Sequence, residues 1–184
     1  MHYSKPAHHW ANHHHYYGYR VRTLPYNAHR HYYKGHTYYC YNNVWYRPYN
    51  GHYVICRPPF GTLLAANIIS DIVWTAVRLS YYDTVADRYV RTNAASLADR
   101  LGLVQSYADA SIPYYYQDGV FYAPGPDGQY YVIVPPAGAL VESLPDDYEI
   151  VILGGKEYYR VDNTIYMTTV SEGRPYFEVL GQMN

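Results

Sequence analysis

A tyrosine-rich unit is written three times in this chain, and that repetition constrains the fold before any single motif does. Leu24-Pro25 aligns with Leu144-Pro145, and the two frames then match without a gap as far as Tyr46 and Tyr166. Gly35 falls on Gly155, Tyr38-Tyr39 on Tyr158-Tyr159, and Asn43 on Asn163. A third copy lies between them. Tyr114-Tyr115 and Val120-Phe121-Tyr122-Ala123-Pro124 match Tyr38-Tyr39 and Val44-Trp45-Tyr46-Arg47-Pro48. After a one-residue slip, Gly51-His52-Tyr53 and Pro58-Pro59-Phe60-Gly61 match Gly128-Gln129-Tyr130 and Pro135-Pro136-Ala137-Gly138.

Turn chemistry recurs at one place in the repeat. Asn42-Asn43, Asp118-Gly119 and Asp162-Asn163 each sit between two aromatic runs, and such pairs suit two-residue hairpin loops with positive φ. Tyr49-Asn50-Gly51 and Pro126-Asp127-Gly128 mark the next turn, and the Pro-Pro pairs end the strand after it, because proline cannot donate to a ladder. Gly154-Gly155 adds a tight turn between Ile150–Leu153 and Lys156–Val161. The expected fold is mainly β with a minor α part. Tandem β-meander units form small barrel- or sandwich-like sheets, with a helical segment between units 1 and 2.

Four regions follow. Residues 1–22 form a His/Tyr-rich tail of irregular character. Residues 23–61 are β unit 1. Residues 62–111 connect, partly as helix. Residues 112–184 carry units 2 and 3 in about eight strands. In the connection, Leu64, Ile68, Ile72, Ala76 and Leu79 recur at near-helical spacing, while the β-branched run near Val73–Val77 keeps a strand open for residues 70–90. Ala94–Leu101 reads as a short helix capped by Gly102.

About half of the residues are apolar, enough for a real core, but there are 28 Tyr and only 3 Phe. Tyrosine keeps a polar tip, so its sheets can be half wet. The near-zero net charge hides an asymmetry. Residues 1–61 hold seven Lys or Arg, all ten His and no Asp or Glu; the remainder holds seven Lys or Arg and all fifteen acids. The two halves should attract each other, within one molecule or between copies. The sharper alternative is that the first half binds an anionic polymer or surface. No run is long and apolar enough to span a bilayer as a helix. Residues 1–22 lack the apolar stretch of a signal peptide, so the expectation is either a protein that stays inside the cell or one whose leader has been removed.

Candidate chemistry is sparse. His13, His14 and His15, with His8 and His9, can bind Zn²⁺, Ni²⁺ or Cu²⁺. The segment has no carboxylate, Cys or helical framework to fix a geometry, so the reading is opportunistic binding by a solvated tail. No resident cofactor is expected. Asp146-Asp147 with Glu149 follow Leu144-Pro145 and read as solvated turn caps. Hairpin registry puts Cys40 opposite Trp45 and Trp45 opposite Val54. The two Cys then share a face across an intervening strand, roughly 9–10 Å apart at the ~4.8 Å strand spacing, too far for a disulfide. Both should be free, largely buried thiols. Motifs for nucleophilic serine, phosphate-binding loops and zinc proteases are absent.

The aromatic surface offers more. Alternation puts Tyr39, Tyr41, Val44, Tyr46, Tyr53 and Ile55 on one face of unit 1, and Tyr38, Cys40, Trp45, Arg47, His52 and Val54 on the other. One face can make a core while the other offers stacking rings beside cations. Trp45, Tyr46 and Arg47 are the candidate ligand-binding residues, with burial of both faces as the competing reading.

Two stretches carry a resemblance: Tyr-Tyr-x-x-(Asp/Asn)-(Gly/Asn)-Val-(Phe/Trp)-Tyr, and Val-Ile-Val-Pro-Pro-Ala-Gly-Ala-Leu-Val-Glu-Ser-Leu-Pro-Asp-Asp-Tyr-Glu. They resemble a tyrosine-rich domain-of-unknown-function family of exported Gram-negative bacterial proteins, most closely over Tyr114–Gly181 and more loosely over Leu24–Gly61. The resemblance implies a β-rich fold and export to the periplasm or outer envelope, with the leader absent from this chain. It brings no activity and no catalytic residues. The resulting expectation is a non-enzymatic, exported protein with a structural or interaction role in the cell envelope. Its partner would be an envelope polymer or protein, or another copy through the charge asymmetry. The alternative is a module that binds an anionic glycan through the basic, aromatic first half. Aromatic-plus-basic surfaces also suit single-stranded nucleic acid, a partner that export argues against.

Overall fold

The computed structural model describes residues 17–64, 75–79, 82–83, 88–89, 92–109 and 111–184. Each repeat becomes an antiparallel sheet because short alternating runs are punctuated by residues that accept positive φ. Unit 1 contributes β1 (Arg20–Val21), β2 (His29–Tyr33), β3 (His36–Tyr41), β4 (Val44–Tyr49) and β5 (His52–Cys56), in the order β1-β5-β4-β3-β2. The expected loop Asn42-Asn43 has φ of 46° and 63°, and Asp118-Gly119 has 48° and 86°; in the third pair Asp162 alone is positive, at 51°.

Residues 75–79, within the stretch left open between helix and strand, form β6 (Thr75–Ala76) and β7 (Arg78–Leu79). Residues 65–74 lie outside the described residues. The β8 (Tyr82–Asp83) and β9 (Arg88–Tyr89) strands pair with each other, and α1 spans Thr92–Arg100. This helix ends on Gly102 at φ 68°. Leu103 N–H bonds to Ala98 C=O and Gly102 N–H to Asp99 C=O, so its last carbonyls are satisfied by the paired bonds of a Schellman stop.

Unit 2 forms β10 (Tyr115–Gln117), β11 (Val120–Pro124) and β12 (Tyr130–Ile133). In its sheet, β12-β11-β10-β6, the connecting strand β6 stands where unit 1 has β2. Unit 3, with β13 (Ala139–Val141), supplies β14 (Glu149–Leu153), β15 (Lys156–Val161), β16 (Thr164–Ser171) and β17 (Arg174–Gln182), ordered β14-β15-β16-β17-β13-β7. Residues 112–184 thus contain the eight strands expected. Units 2 and 3 pack as a sandwich: Tyr116 and Phe121 share one cluster with Ala139, Val141, Val161, Tyr166 and Val179. The other face of the unit 3 sheet takes α1, through Ala94 and Ala98 against Tyr158, Ile165 and Leu180. The reverse face of the unit 2 sheet takes the chain that leaves unit 1, with Leu64 and Phe60 against Val120, Tyr122 and Val132.

Two expectations change. The irregular stretch stops short of residue 22: Tyr17 is buried in the unit 1 core, and Arg20–Val21 pair with β5. The β4–β5 register is also two residues further on. Asn50-Gly51 alone forms the loop, with φ of 47° and 74°, so Tyr49 pairs with His52 and Trp45 with Cys56 rather than Val54. Cys40, Trp45 and Cys56 therefore form one cross-strand row, and both thiols are free but half-buried rather than largely buried.

Candidate functional site

The two faces of the unit 1 sheet divide as alternation requires. Val44, Tyr46 and Ile55 are buried with Tyr17, flanked by Tyr39, Tyr41 and Tyr53. Of the three candidate ligand-binding residues, Tyr46 is 4% exposed in that core. Trp45, on the opposite face, is 8% exposed, its ring 4.8 Å from that of His31. Arg47 alone is exposed. It lies next to a different ring. Arg20 and Arg47 both pair across to Val54, and their guanidinium carbons lie 5.1 Å and 5.9 Å from the Tyr49 ring centroid. His52, opposite Tyr49, is exposed on the same face. The structure thus separates Trp45 and Tyr46 from Arg47 and gathers Arg20, Arg47, Tyr49 and His52 into a basic, aromatic surface. His13, His14 and His15 lie outside the described residues. Among the described residues no three His, Cys, Asp or Glu side chains converge as metal ligands. No described helix is long and apolar enough to cross a membrane.

Among the described residues, the densest polar constellation was not anticipated from the sequence. Arg57 follows β5 directly and is 8% exposed. It donates from Nη1 and Nη2 to the two carboxylate oxygens of Asp147, at 3.0 Å and 2.6 Å, and from Nε to the Asp118 carbonyl at 3.0 Å. Nη1 also reaches Asp162 Oδ2 at 3.3 Å, and the guanidinium lies 4.2 Å from the Tyr17 ring centroid. Burial by itself would lower the Arg57 pKa, but the charges of Asp162 and Asp147 outweigh it and hold the pKa above its ordinary value. One side chain thereby joins the end of unit 1 to the hairpin loops of units 2 and 3 and to the segment between β13 and β14. Asp147, read from sequence as a solvated cap, is instead the bidentate partner of a buried cation; a fork of donors matched to a carboxylate is the geometry arginine supplies and lysine does not.

Buried tyrosines surround this clasp. Tyr17, Tyr116, Tyr122 and Tyr166 are all pushed above the usual phenol range, by burial first of all. Tyr116 donates its hydroxyl to Ser143 C=O at 3.0 Å. Burial also pushes the Cys56 thiol up to about 12, which leaves it almost wholly protonated and a poor nucleophile near neutrality. Chemically, the constellation holds structure together; its cation is neutralised and its phenols are protonated. One signal in the sequence pointed to it: in the aligned repeats Arg57 stands where unit 2 has Val134, a charge at a position that is apolar in the sister copy.

The fold and the clasp define a class: an antiparallel β-repeat protein whose units are locked by a buried ion pair. Residues 1–94 and residues 79–183 each match a family of unknown function, DUF6515, and the chain belongs to it. The two overlapping matches together span nearly the whole chain. No curated protein and no solved structure matches it.

Proposed function

We propose that this protein is a non-enzymatic, exported component of the bacterial cell envelope with a structural or interaction role. The observation that carries the reading is the use made of the repeat's most characteristic rings. Trp45, Tyr46, Tyr122 and Tyr166 are buried, and Arg57 fastens the three units to one another, so the repeated chemistry builds a scaffold. The resemblance to exported tyrosine-rich proteins supports the envelope as its location. Fractionation of the cells that make it, with an antibody against the chain, tests this. Recovery with periplasm or envelope is the expected result, and recovery with cytosol would overturn it.

The Arg20–Tyr49–Arg47 surface favours a second reading, in which the scaffold presents unit 1 to an anionic glycan. Two guanidinium groups beside one exposed ring can pair with carboxylate or sulfate groups while the ring packs on a sugar. Retention on immobilised anionic polysaccharide should then fall with salt and be lost in the doubly substituted Arg20→Ala, Arg47→Ala chain. Equal retention of that variant would remove this reading.

A further inference from the structure

The β2 and β14 strands are the same element of the repeat, since His29–Tyr33 aligns with Glu149–Leu153, and among the described residues each ends its sheet. Their edges are guarded differently. The β2 edge carries His29, Arg30 and His31, the charge-bearing type of residue that discourages strand addition. The β14 edge carries Ile150 and Ile152, 57% and 63% exposed. They lie on the sheet face that also holds the exposed Tyr148 and Val170.

The backbone of β14 is in phase for another strand. Gly154-Gly155 makes a two-residue loop, so its closing pair Leu153 and Lys156 is hydrogen-bonded, as are Val151 with Tyr158 and Glu149 with Arg160. The alternate residues, Ile150 and Ile152, therefore turn their N–H and C=O groups away from β15.

We propose that β14 is a dimerisation edge that pairs antiparallel with β14 of a second copy about a two-fold axis at Val151. This goes beyond the envelope reading and does not depend on it. In this register Ile150 of each copy faces Ile152 of the other, and both outward-turned residues of each strand exchange backbone hydrogen bonds. Glu149 faces Leu153, so no like charges meet, and each Glu149 is already held by Arg160 of its own chain. The strand is palindromic in the property that matters, with two isoleucines either side of a central valine, and this singles out an identical strand as the partner. Closed two-fold pairing through one self-complementary patch is the commonest way for a chain to associate with itself. It would join two six-stranded sheets into one and cover the exposed isoleucines.

Sedimentation of the full chain from micromolar to near-millimolar concentration tests the proposal. The expected result is a mass that rises from 21.4 kDa towards twice that value and persists in high salt. Ile152→Lys should weaken the dimer at least tenfold, and Val170→Lys, on the same face but away from the edge, should leave it. An equimolar mixture of Ile150→Cys and Ile152→Cys chains should cross-link on oxidation well beyond either alone, with the wild-type chain as control for Cys40 and Cys56. The proposal is overturned by a monomer at every concentration, by a dimer that Ile152→Lys leaves intact, or by a mixture that cross-links no better than its components. A dimer that dissolves in salt would also overturn it, pointing instead to contact between the oppositely charged halves.

Discussion

Arg57 and Asp147 stand ninety positions apart in the chain and meet end-on, both nitrogens of the guanidinium fork on both oxygens of the carboxylate, at 3.0 Å and 2.6 Å. Arg57 is the last residue of the basic stretch before the Pro-Pro pair, and Asp147 belongs to the segment between β13 and β14. Within one molecule, Arg57 of the basic half thus meets two acids of the other half, Asp147 and Asp162.

That contact should dominate mutational stability. Arg57→Met removes the cation and strands Asp147, whose side chain is only 20% exposed. Breaking a buried pair in this way costs about 3 kcal/mol or somewhat more. Asp162→Asn should cost under about 1 kcal/mol, because the Asp162 side chain is 61% exposed and water screens its share. Urea denaturation of the three chains, with Asp147→Asn between them, checks the order.

Gly119 is set by the same residue. A Cβ there would lie 2.5 Å from Arg57 Nε, and the backbone sits at φ 86°. Gly128 has a similar φ of 75° with open space around it. Gly128→Ala should therefore show only the left-handed penalty of about 1–2 kcal/mol, whereas Gly119→Ala should cost clearly more, since it also displaces Arg57. In an Arg57→Met background the excess at Gly119 should shrink, which a double-mutant cycle in thermal or urea unfolding would reveal.

Two tyrosines of one core cluster should respond in opposite directions to loss of the hydroxyl. Tyr116 donates to Ser143 C=O, so Tyr116→Phe should destabilise by about 1 kcal/mol. The Tyr166 hydroxyl is fully buried and makes no hydrogen bond among the described residues. Tyr166→Phe should be neutral or stabilising by up to about 1 kcal/mol, as it removes an unsatisfied group without opening a large cavity. The midpoint of chemical unfolding distinguishes the two.

Alkali should unfold the protein cooperatively. Tyr17, Tyr116, Tyr122 and Tyr166 hold their protons in the folded state at pH values where an unfolded chain, with phenol pKa near about 10, has lost them. The unfolded state then binds fewer protons, so stability is intact below about pH 10 and falls as pH rises above it, by up to about 1.4 kcal/mol per pH unit for each such group. Tyrosinate absorbance should rise gradually from the exposed rings and then in a steep step that coincides with loss of the far-ultraviolet β signal. Cys56, pushed up to about 12, should resist alkylation until the same step.

Local rules carried the sequence reading a long way. The strands, the loops at Asn42-Asn43, Asp118-Gly119 and Gly154-Gly155, the stop at Gly102, and the division of unit 1 into a Tyr39/Val44/Tyr46/Ile55 face and its reverse all follow from turn chemistry and alternation over a few residues. The β4–β5 register did not follow, because Tyr49-Asn50-Gly51 offers two ways to close a hairpin and one of them displaces every pair by two positions. Among Trp45, Tyr46 and Arg47, alternation turns Tyr46 to the opposite face, whereas the burial of Trp45 beside an exposed Arg47 on the same face depends on what covers that face, His31 included.

By itself, then, the sequence determined a tandem antiparallel β protein with a basic first third, since these depend on neighbours in the chain. Only the tertiary structure decided that β6 completes the sheet of unit 2, that Arg57 joins the repeats, and that β14 has its isoleucines at a sheet edge among the described residues. Those outcomes rest on contacts between residues tens of positions apart. Their free energy comes from burying one particular pair of groups together, and no local pattern records which pair that will be.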